Sequence, residues 1–296
     1  MHNALKNELD PKDKEEKRIN RMKQKIQRGK KIQATQDNIK LLVLGLGDQN
    51  GLIRRSFAEE LGRIGKDALP ELINALLNSK NVIQRRAAAK TLKLVGDPKA
   101  LPSLIKALIN DEDQVVQCSA AGAIAIFGET AVNHLIIILK NPLCSEMQYG
   151  LASWCLAFIG AEAPNALKKA AISKNSNIRS AAISALEEQI RTSQDLEALA
   201  LLNNALNDNS ENVQIEAIKL VGKLNKIESL IPILIYKLKS LSPEIRKNSV
   251  ISLMLLNSQE ALTPLRELIK IEKEESVKKI TTLAIKKIIL SNQLKD

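Results

Sequence analysis

Apolar residues recur along this 296-residue chain with the spacing of amphipathic helices. In the segment 84–96, small or aliphatic residues stand three, four, seven and ten positions after Arg85, which places them on one face of a helix. The same pattern returns in eight blocks, at residues 53–65, 84–96, 116–128, 148–160, 178–190, 213–225, 245–257 and 277–289. A helical pattern repeated this regularly predicts a solenoid.

The second residue of each block, called the anchor below, defines the repeat. The anchors are Arg54, Arg85, Gln117, Tyr149, Arg179, Gln214, Arg246 and Lys278, and they follow one another at intervals of 30 to 35 residues. A second apolar helix pattern precedes the blocks, and Pro70, Pro102, Pro232 and Pro264 suit its first turn. The repeating unit is therefore predicted to be helix–turn–helix. We expect the arginine anchors to pair with loop acids such as Asp48.

The repeats resemble HEAT-like repeats of the type named for phycobilin lyases. The resemblance rests on a V/I-R-x-x-A-x-x-x-L-G-x-I-G block after an A-x-P-x-L-x-x-x-L block, and it covers residues 38–290. It implies an all-α fold, a right-handed α-solenoid of about eight repeats. Residues 1–37 are predicted to form a charged helical leader and residues 291–296 a C-terminal tail.

The leader carries much of the positive charge. The chain has a net charge of +11, of which residues 1–37 supply +5. Asp10 is predicted to cap a helix whose apolar stripe, Ile19, Met22 and Ile26, ends at Gly29. Two hypotheses remain open for it: a solvated helix docked on the first repeat, or a nucleic-acid-binding arm.

Composition excludes several classes of function. Three cysteines without a CxxC pair and only two histidines favour reduced thiols in the cytoplasm and no metal site. The longest apolar runs are too short to span a bilayer, which predicts a soluble protein without membrane partners. The sequence contains no GxGxxG, P-loop, GxSxG or HExxH motif.

The residues one and five positions after each anchor are predicted to point outward; we call these positions the outward columns. They place Trp154, the only tryptophan, on the surface. With Cys118 and Gly122 of the third block and Gly150 and Phe158 of the fourth, Trp154 is predicted to form an apolar notch floored by glycines. Arg86 and Lys90, which precede it in the same columns, would supply a cationic rim. A lone tryptophan in a helix is also common in protein cores, so both interpretations stand at this point.

Two further residues of the fourth block bear on chemistry. Tyr149 stands where other blocks carry Arg, Gln or Lys, and its phenol can donate a proton or bind a ligand carbonyl; tolerance of a tyrosine in one repeat is the alternative. Cys155 lies six residues after the anchor and is predicted to be half-buried and inert.

The stretch Gly150-Leu-Ala-Ser-Trp-Cys-Leu156 resembles the Tyr-Tyr-Ala-Ala-Trp-Trp-Leu segment of some E/F-type phycobilin lyases, with both Tyr and the second Trp replaced. The resemblance implies a lyase, or lyase-isomerase, that attaches a linear tetrapyrrole through a thioether to a cysteine of a phycobiliprotein subunit. It implies no resident cofactor, because the phycobilin, with phycoerythrobilin as a candidate, is the substrate. Some members of the family act as heterodimers, which adds a partner lyase subunit.

The resemblance assigns provisional roles to the notch residues. Tyr149 would be the catalytic acid, and Arg86 and Lys90 would bind the propionates. Trp154, Phe158, Gly150, Gly122 and Cys118 would line the pigment site, with Cys118 and Cys155 as alternative transient traps for the pigment.

Two other hypotheses stay open. Non-catalytic relatives with the same repeats act in phycobilisome assembly or breakdown, as pigment-binding adaptors or chaperones. HEAT-like proteins also bind nucleic acid, but the neutral anchors and the absence of an acid beside the aromatic cluster disfavour that function here.

Overall fold

The computed structural model describes residues 11–160, 162–224 and 228–293. Helices dominate this part of the chain, and it contains no strand. The chain divides into two compact units, Met1–Ala131 and Val132–Asp296. None of the described helices is long and apolar enough to cross a membrane.

In the first unit, helices pair as the repeat pattern predicts. The helices are α1 Pro11–Gln27, α2 Gln36–Gly45, α3 Gly51–Ile64, α4 Leu69–Asn78, α5 Val82–Val95, α6 Leu101–Asn110 and α7 Gln114–Ile124. The pairs α2–α3, α4–α5 and α6–α7 each form one repeat, and the second helices α3, α5 and α7 pack side by side. Pro70 and Pro102 lie in the first turns of α4 and α6, as predicted.

The second unit continues the pattern. Its helices are α8 Glu129–Lys140, where the boundary between the units falls, α9 Glu146–Ile159, α10 Pro164–Ala171, α11 Ser176–Ser184, α12 Glu187–Ser193, α13 Leu196–Ala205, α14 Glu211–Lys223, α15 Ile231–Lys237, α16 Pro243–Leu255, α17 Leu262–Ile271 and α18 Glu275–Gln293. The second helices α9, α11, α14, α16 and α18 pack in that order. The all-α solenoid class of HEAT-like repeats is confirmed, whereas the domain boundaries at residues 37 and 290 stay predictions.

The fifth block is not one continuous helix. Its helix breaks at Ala185 and Leu186, between α11 and α12. The break lies where the carbonyl of Ala185 approaches Gly160 so closely that a Cβ on Gly160 would stand 2.6 Å from it. Gln189, which is buried in α12, donates from Nε2 to the carbonyl of Gly160 at 3.0 Å. This block is followed by the longest interval in the anchor series, 35 residues.

Helix α1 packs on the first repeat, as one of the two hypotheses for the leader predicts. Met22 is buried, and α1 contacts α2 and α3. Gly29 follows the helix with a φ of +66°, a left-handed conformation that favours glycine. Ile32 is buried beyond it, and its backbone N–H donates to Glu60 Oε1 at 3.1 Å. The predicted cap, Asp10, lies outside the described residues.

Candidate functional site

The anchors hold the turn that precedes each second helix. The anchor side chain donates to the backbone carbonyl six residues upstream in all six described Arg and Gln cases: Arg54 to Asp48 at 2.7 Å, Arg85 to Ser79 at 3.1 Å, Gln117 to Asp111 at 2.7 Å, Arg179 to Ser173 at 2.8 Å, Gln214 to Asp208 at 2.7 Å and Arg246 to Ser240 at 2.9 Å. The expected partner Asp48 thus accepts from Arg54 through its backbone carbonyl, while its carboxylate accepts from the backbone N–H of Asn50. The anchor residues therefore have a structural role.

Three arginine anchors also join neighbouring repeats. Their guanidinium groups form two-bonded pairs with a carboxylate 26 or 29 residues later: Arg85 with Asp111, Arg179 with Asp208 and Arg246 with Glu272. Such pairs are the strongest hydrogen-bonded ion pairs that proteins make. The backbone carbonyls of these two aspartates also accept hydrogen bonds from the glutamine anchor of the next repeat, Asp111 from Gln117 and Asp208 from Gln214.

Tyr149 departs from this arrangement. Its hydroxyl donates to the backbone carbonyl of Asn177, in the turn of the next repeat, at 3.4 Å. A phenol has one O–H donor, so it cannot bind a turn carbonyl and a carboxylate at the same time, as the guanidinium groups of these three arginine anchors do. Instead Ser145 begins α9 with a capping box, in which its hydroxyl accepts from the N–H of Gln148 and its own N–H donates to Gln148 Oε1. The half-buried Tyr149 ring therefore lies at the start of a well-capped helix, and its hydroxyl is held by this long hydrogen bond.

Helix α9 has opposite apolar and aromatic sides. Ala152, Cys155, Leu156 and Ile159 are fully buried in the core. Trp154 is 49% exposed and Phe158 58% exposed, so the prediction that Trp154 points outward is confirmed and its assignment to the core is wrong. Their ring centroids lie 5.6 Å apart with 31° between the ring planes.

Gly150 completes this surface of α9. One helical turn before Trp154, it is exposed, and a Cβ added there would meet no atom within 4 Å. We call Gly150, Trp154 and Phe158 the aromatic face. Open backbone beside two offset rings leaves room for a flat ligand, and burying a tryptophan-sized surface against one contributes about 2–3 kcal/mol.

A buried hydroxyl lies beside the aromatic face. Ser153 Oγ is buried and has no hydrogen-bond partner among the described residues. Ser153 follows Tyr149 by one helical turn, so the two hydroxyl-bearing residues project from nearly the same side of α9.

The remaining predicted site residues belong to the first unit. Cys118 is exposed on α7, and Gly122, on the same helix, has open space where a Cβ would stand. On α5, Arg86 binds both carboxylate oxygens of Asp113, at 2.9 and 2.6 Å, and this hydrogen-bonded pairing lowers the pKa of Asp113 to about 2. Lys90 is exposed and makes no hydrogen bond or ion pair within the described residues. A single notch built from both units stays a prediction.

Arg86 therefore has a structural partner that the sequence did not indicate. Asp113 is the N-cap of α7, so the Arg86–Asp113 pair joins α5 to the start of the next second helix. A ligand carboxylate would have to displace Asp113 from the guanidinium group. Of the two cations predicted to bind propionates, Lys90 is the one free to do so.

The thiols differ in accessibility. Cys155 is fully buried rather than half-buried, and burial raises the pKa of its thiol to about 12. Burial also raises the pKa of Cys144, which is partly exposed. Cys155 is therefore inert as a nucleophile.

We expect iodoacetamide to alkylate Cys118 in the folded protein and to leave Cys155 unmodified until the chain is unfolded. The reason is that the thiolate reacts, and Cys155 has neither exposure nor an accessible thiolate at neutral pH. Peptide mass spectrometry after a pH 8 reaction, with a urea-unfolded sample as control, measures the difference. Equal modification of both thiols in the folded protein would contradict the burial described above.

Comparison with known proteins adds the family context. A model of HEAT repeats matches residues 69–152 and 199–286, and a model of the PBS lyase HEAT-like repeat matches residues 53–78. Bilin biosynthesis protein MpeU of Synechococcus sp. (strain WH8020) is 45% identical over 263 residues, covering 89% of each chain.

Solved structures are less similar. The complex of CpcE and CpcF of phycocyanin lyase from Nostoc sp. PCC7120 is 20% identical, covers 84% of this chain and 94% of that chain, and has a TM-score of 0.35. Human deoxyhypusine hydroxylase is 17% identical, covers 86% of this chain and 96% of that chain, and has a TM-score of 0.36. Likeness at this level carries no argument about function.

Proposed function

The chain belongs to the E/F-type phycobilin lyase family with HEAT-like repeats, and on that premise we propose that it binds a linear tetrapyrrole and attaches it to a cysteine of a phycobiliprotein subunit. The structural observation that carries this proposal is the exposed, mutually packed pair Trp154 and Phe158 beside the open backbone of Gly150. A conjugated, flat pigment suits such a surface. Phycoerythrobilin is the candidate pigment.

The chemistry is the addition of a thiol across a carbon–carbon double bond of the pigment. The acceptor's sulfur forms a bond to one carbon, the neighbouring carbon takes up a proton, and the thiol's proton balances the exchange without any oxidant or reductant. We assign that proton to the O–H of Tyr149, which is partly exposed and held by a long hydrogen bond of 3.4 Å, whereas the Ser153 hydroxyl on the same helix is buried. The protein's main contribution is to hold the pigment so that the acceptor thiol meets the correct carbon.

The nucleophile belongs to the acceptor protein and not to this chain. Cys155 is buried with its pKa raised to about 12, which removes it from the reaction. Cys118 is exposed on α7, and as a thiol outside the acceptor it remains the alternative transient trap for the pigment. A lyase with an external thiol needs no reactive cysteine of its own.

Co-expression tests the proposal. The chain is produced in bacteria with enzymes that make phycoerythrobilin and with each of a panel of phycobiliprotein subunits, and covalent pigment is measured by absorbance after denaturation. We expect one subunit to carry covalent pigment well above the background without this chain, and Tyr149→Phe to lower that yield without lowering pigment binding. Pigment that binds without any thioether would instead support an adaptor or chaperone, and no binding at all would refute a pigment-handling role.

A further inference from the structure

A groove of about 400 Å³ crosses the second helices of the second unit. It begins at Tyr149 on α9 and passes over α11 to α14 and α16. The lining residues that matter here are Tyr149, Ser180, Ile215, Lys219, Lys247 and Asn248. Ser180, Ile215 and Lys247 each follow their anchor by one position, as Gly150 does, and Lys219 follows its anchor by five, as Trp154 does. Of these column residues Ser180 is buried, and the groove meets α9 at Tyr149, the chain neighbour of Gly150 in the aromatic face.

Small and polar side chains form its middle. Ser180 of α11 stands between Tyr149 of α9 and Ile215 of α14, since α11 packs directly on both of those helices. Packed helices lie about 8–10 Å apart, so the stretch from α9 to α14 spans about 16–20 Å. This is room for an extended ligand of several rings rather than for a compact one.

Two lysines line the far side of the groove. Lys219 Nζ lies 2.8 Å from Glu216 Oε1 and Lys247 Nζ lies 3.4 Å from Glu244 Oε1, and both glutamates also line the groove. Each pair joins residues three apart on one helix, with both side chains partly exposed to solvent. Exposed pairs of this kind contribute little to stability, and an ammonium group with one such partner keeps two further N–H donors. Both lysines can therefore bind another carboxylate.

From this placement we propose that the groove binds the two propionate carboxylates of the pigment, with Lys219 and Lys247 as their partners. The inference rests on the proposed function. A linear tetrapyrrole carries one propionate on each of its two inner rings, and Lys219 and Lys247 stand on neighbouring, directly packed helices. Of the two cations that the sequence predicted for this role, Arg86 is already bound by Asp113, and Lys90 is a single exposed lysine on α5 that does not line this groove.

The test compares biliverdin, a linear tetrapyrrole with two free propionates, with its dimethyl ester, which has none. Quenching of emission from Trp154, the only tryptophan, gives the dissociation constant of each. We expect the wild-type chain to bind the diacid at least tenfold more tightly than the ester, because removing one charge-assisted hydrogen bond weakens binding about tenfold. In Lys219→Gln/Lys247→Gln, the two affinities should become equal at the value of the ester.

A matched control removes the same charge elsewhere. Lys239→Gln/Lys273→Gln alters two exposed lysines of the same unit that do not line this groove, and it should keep the wild-type preference for the diacid. The inference is overturned if Lys219→Gln/Lys247→Gln keeps that preference as well, or if the control loses it to the same extent. If neither pigment binds the wild-type chain, the proposed function fails and the inference fails with it.

Discussion

Replacing Trp154 with alanine is expected to lower the affinity for a linear tetrapyrrole about 30-fold and to reduce covalent loading of the acceptor subunit accordingly. The expected reduction follows from removing about 2 kcal/mol of apolar and stacking interaction with the pigment. Trp154 is half-exposed and contacts Phe158, so its removal opens no cavity in the core. Pigment absorbance of the purified chain after incubation with phycoerythrobilin measures the effect.

Two variants make this result specific. Trp154→Phe keeps a flat ring and should retain most of the affinity. Leu241→Ala removes an apolar side chain that is almost fully exposed elsewhere in the same unit, and it should bind pigment like the wild type. Equal pigment binding by Trp154→Ala and Leu241→Ala would show that the aromatic face is not the pigment surface.

Glu272→Gln is expected to destabilise the last two repeats by about 3 kcal/mol at pH 7. The Glu272 side chain is 1% exposed, and its oxygens accept from Arg246 Nε at 2.6 Å and Nη2 at 2.7 Å. The backbone N–H groups of Lys273 and Glu274 donate to the same carboxylate. Glutamine lacks the charge and one acceptor oxygen, so the Arg246 guanidinium group, whose side chain is only 14% exposed, loses its counter-ion. Hydrogen exchange of α16 and α18 measures the change.

The effect should depend on pH. The hydrogen bonds from Arg246 lower the pKa of Glu272 from 4.5 to about 2. The unfolded chain therefore binds a proton more readily than the folded one, and stability from this group is complete above about pH 5.5 and disappears as the pH falls towards 2. The gap between the wild type and Glu272→Gln should close over that range. Glu59→Gln is the matched control, because the Arg55–Glu59 pair is exposed and its removal should cost less than about 0.5 kcal/mol. A gap independent of pH, or one equal to the control's, would contradict a stabilising ion pair.

The repeat pattern predicted the fold and the position of Trp154, because both depend on helix periodicity within one block. Ala88, Ala89 and Leu92 are buried where that periodicity places them. The same periodicity gives the outward side of α9. Helix periodicity describes one helix at a time. It therefore does not show which outward residues of neighbouring helices enclose a cavity.

Contacts between repeats could not be predicted in this way. The pairing of Arg86 with Asp113 joins residues 27 positions apart and depends on how α5 and α7 pack. The groove with Lys219 and Lys247 depends likewise on the packing of α9, α11, α14 and α16. Both lysines stand in the outward columns, so the alignment of the blocks contained a signal for them, but the aromatic residues of the fourth block gave the stronger one.

The emission of Trp154 during titration with phycoerythrobilin decides whether the aromatic face binds the pigment. Because the chain has one tryptophan, excitation at the red edge of the tryptophan band reports on the aromatic face alone. We expect saturable quenching at one equivalent of pigment, together with protection of Trp154 from a neutral collisional quencher such as acrylamide. Emission and quencher access that stay unchanged while pigment binds the chain would contradict pigment binding at this face.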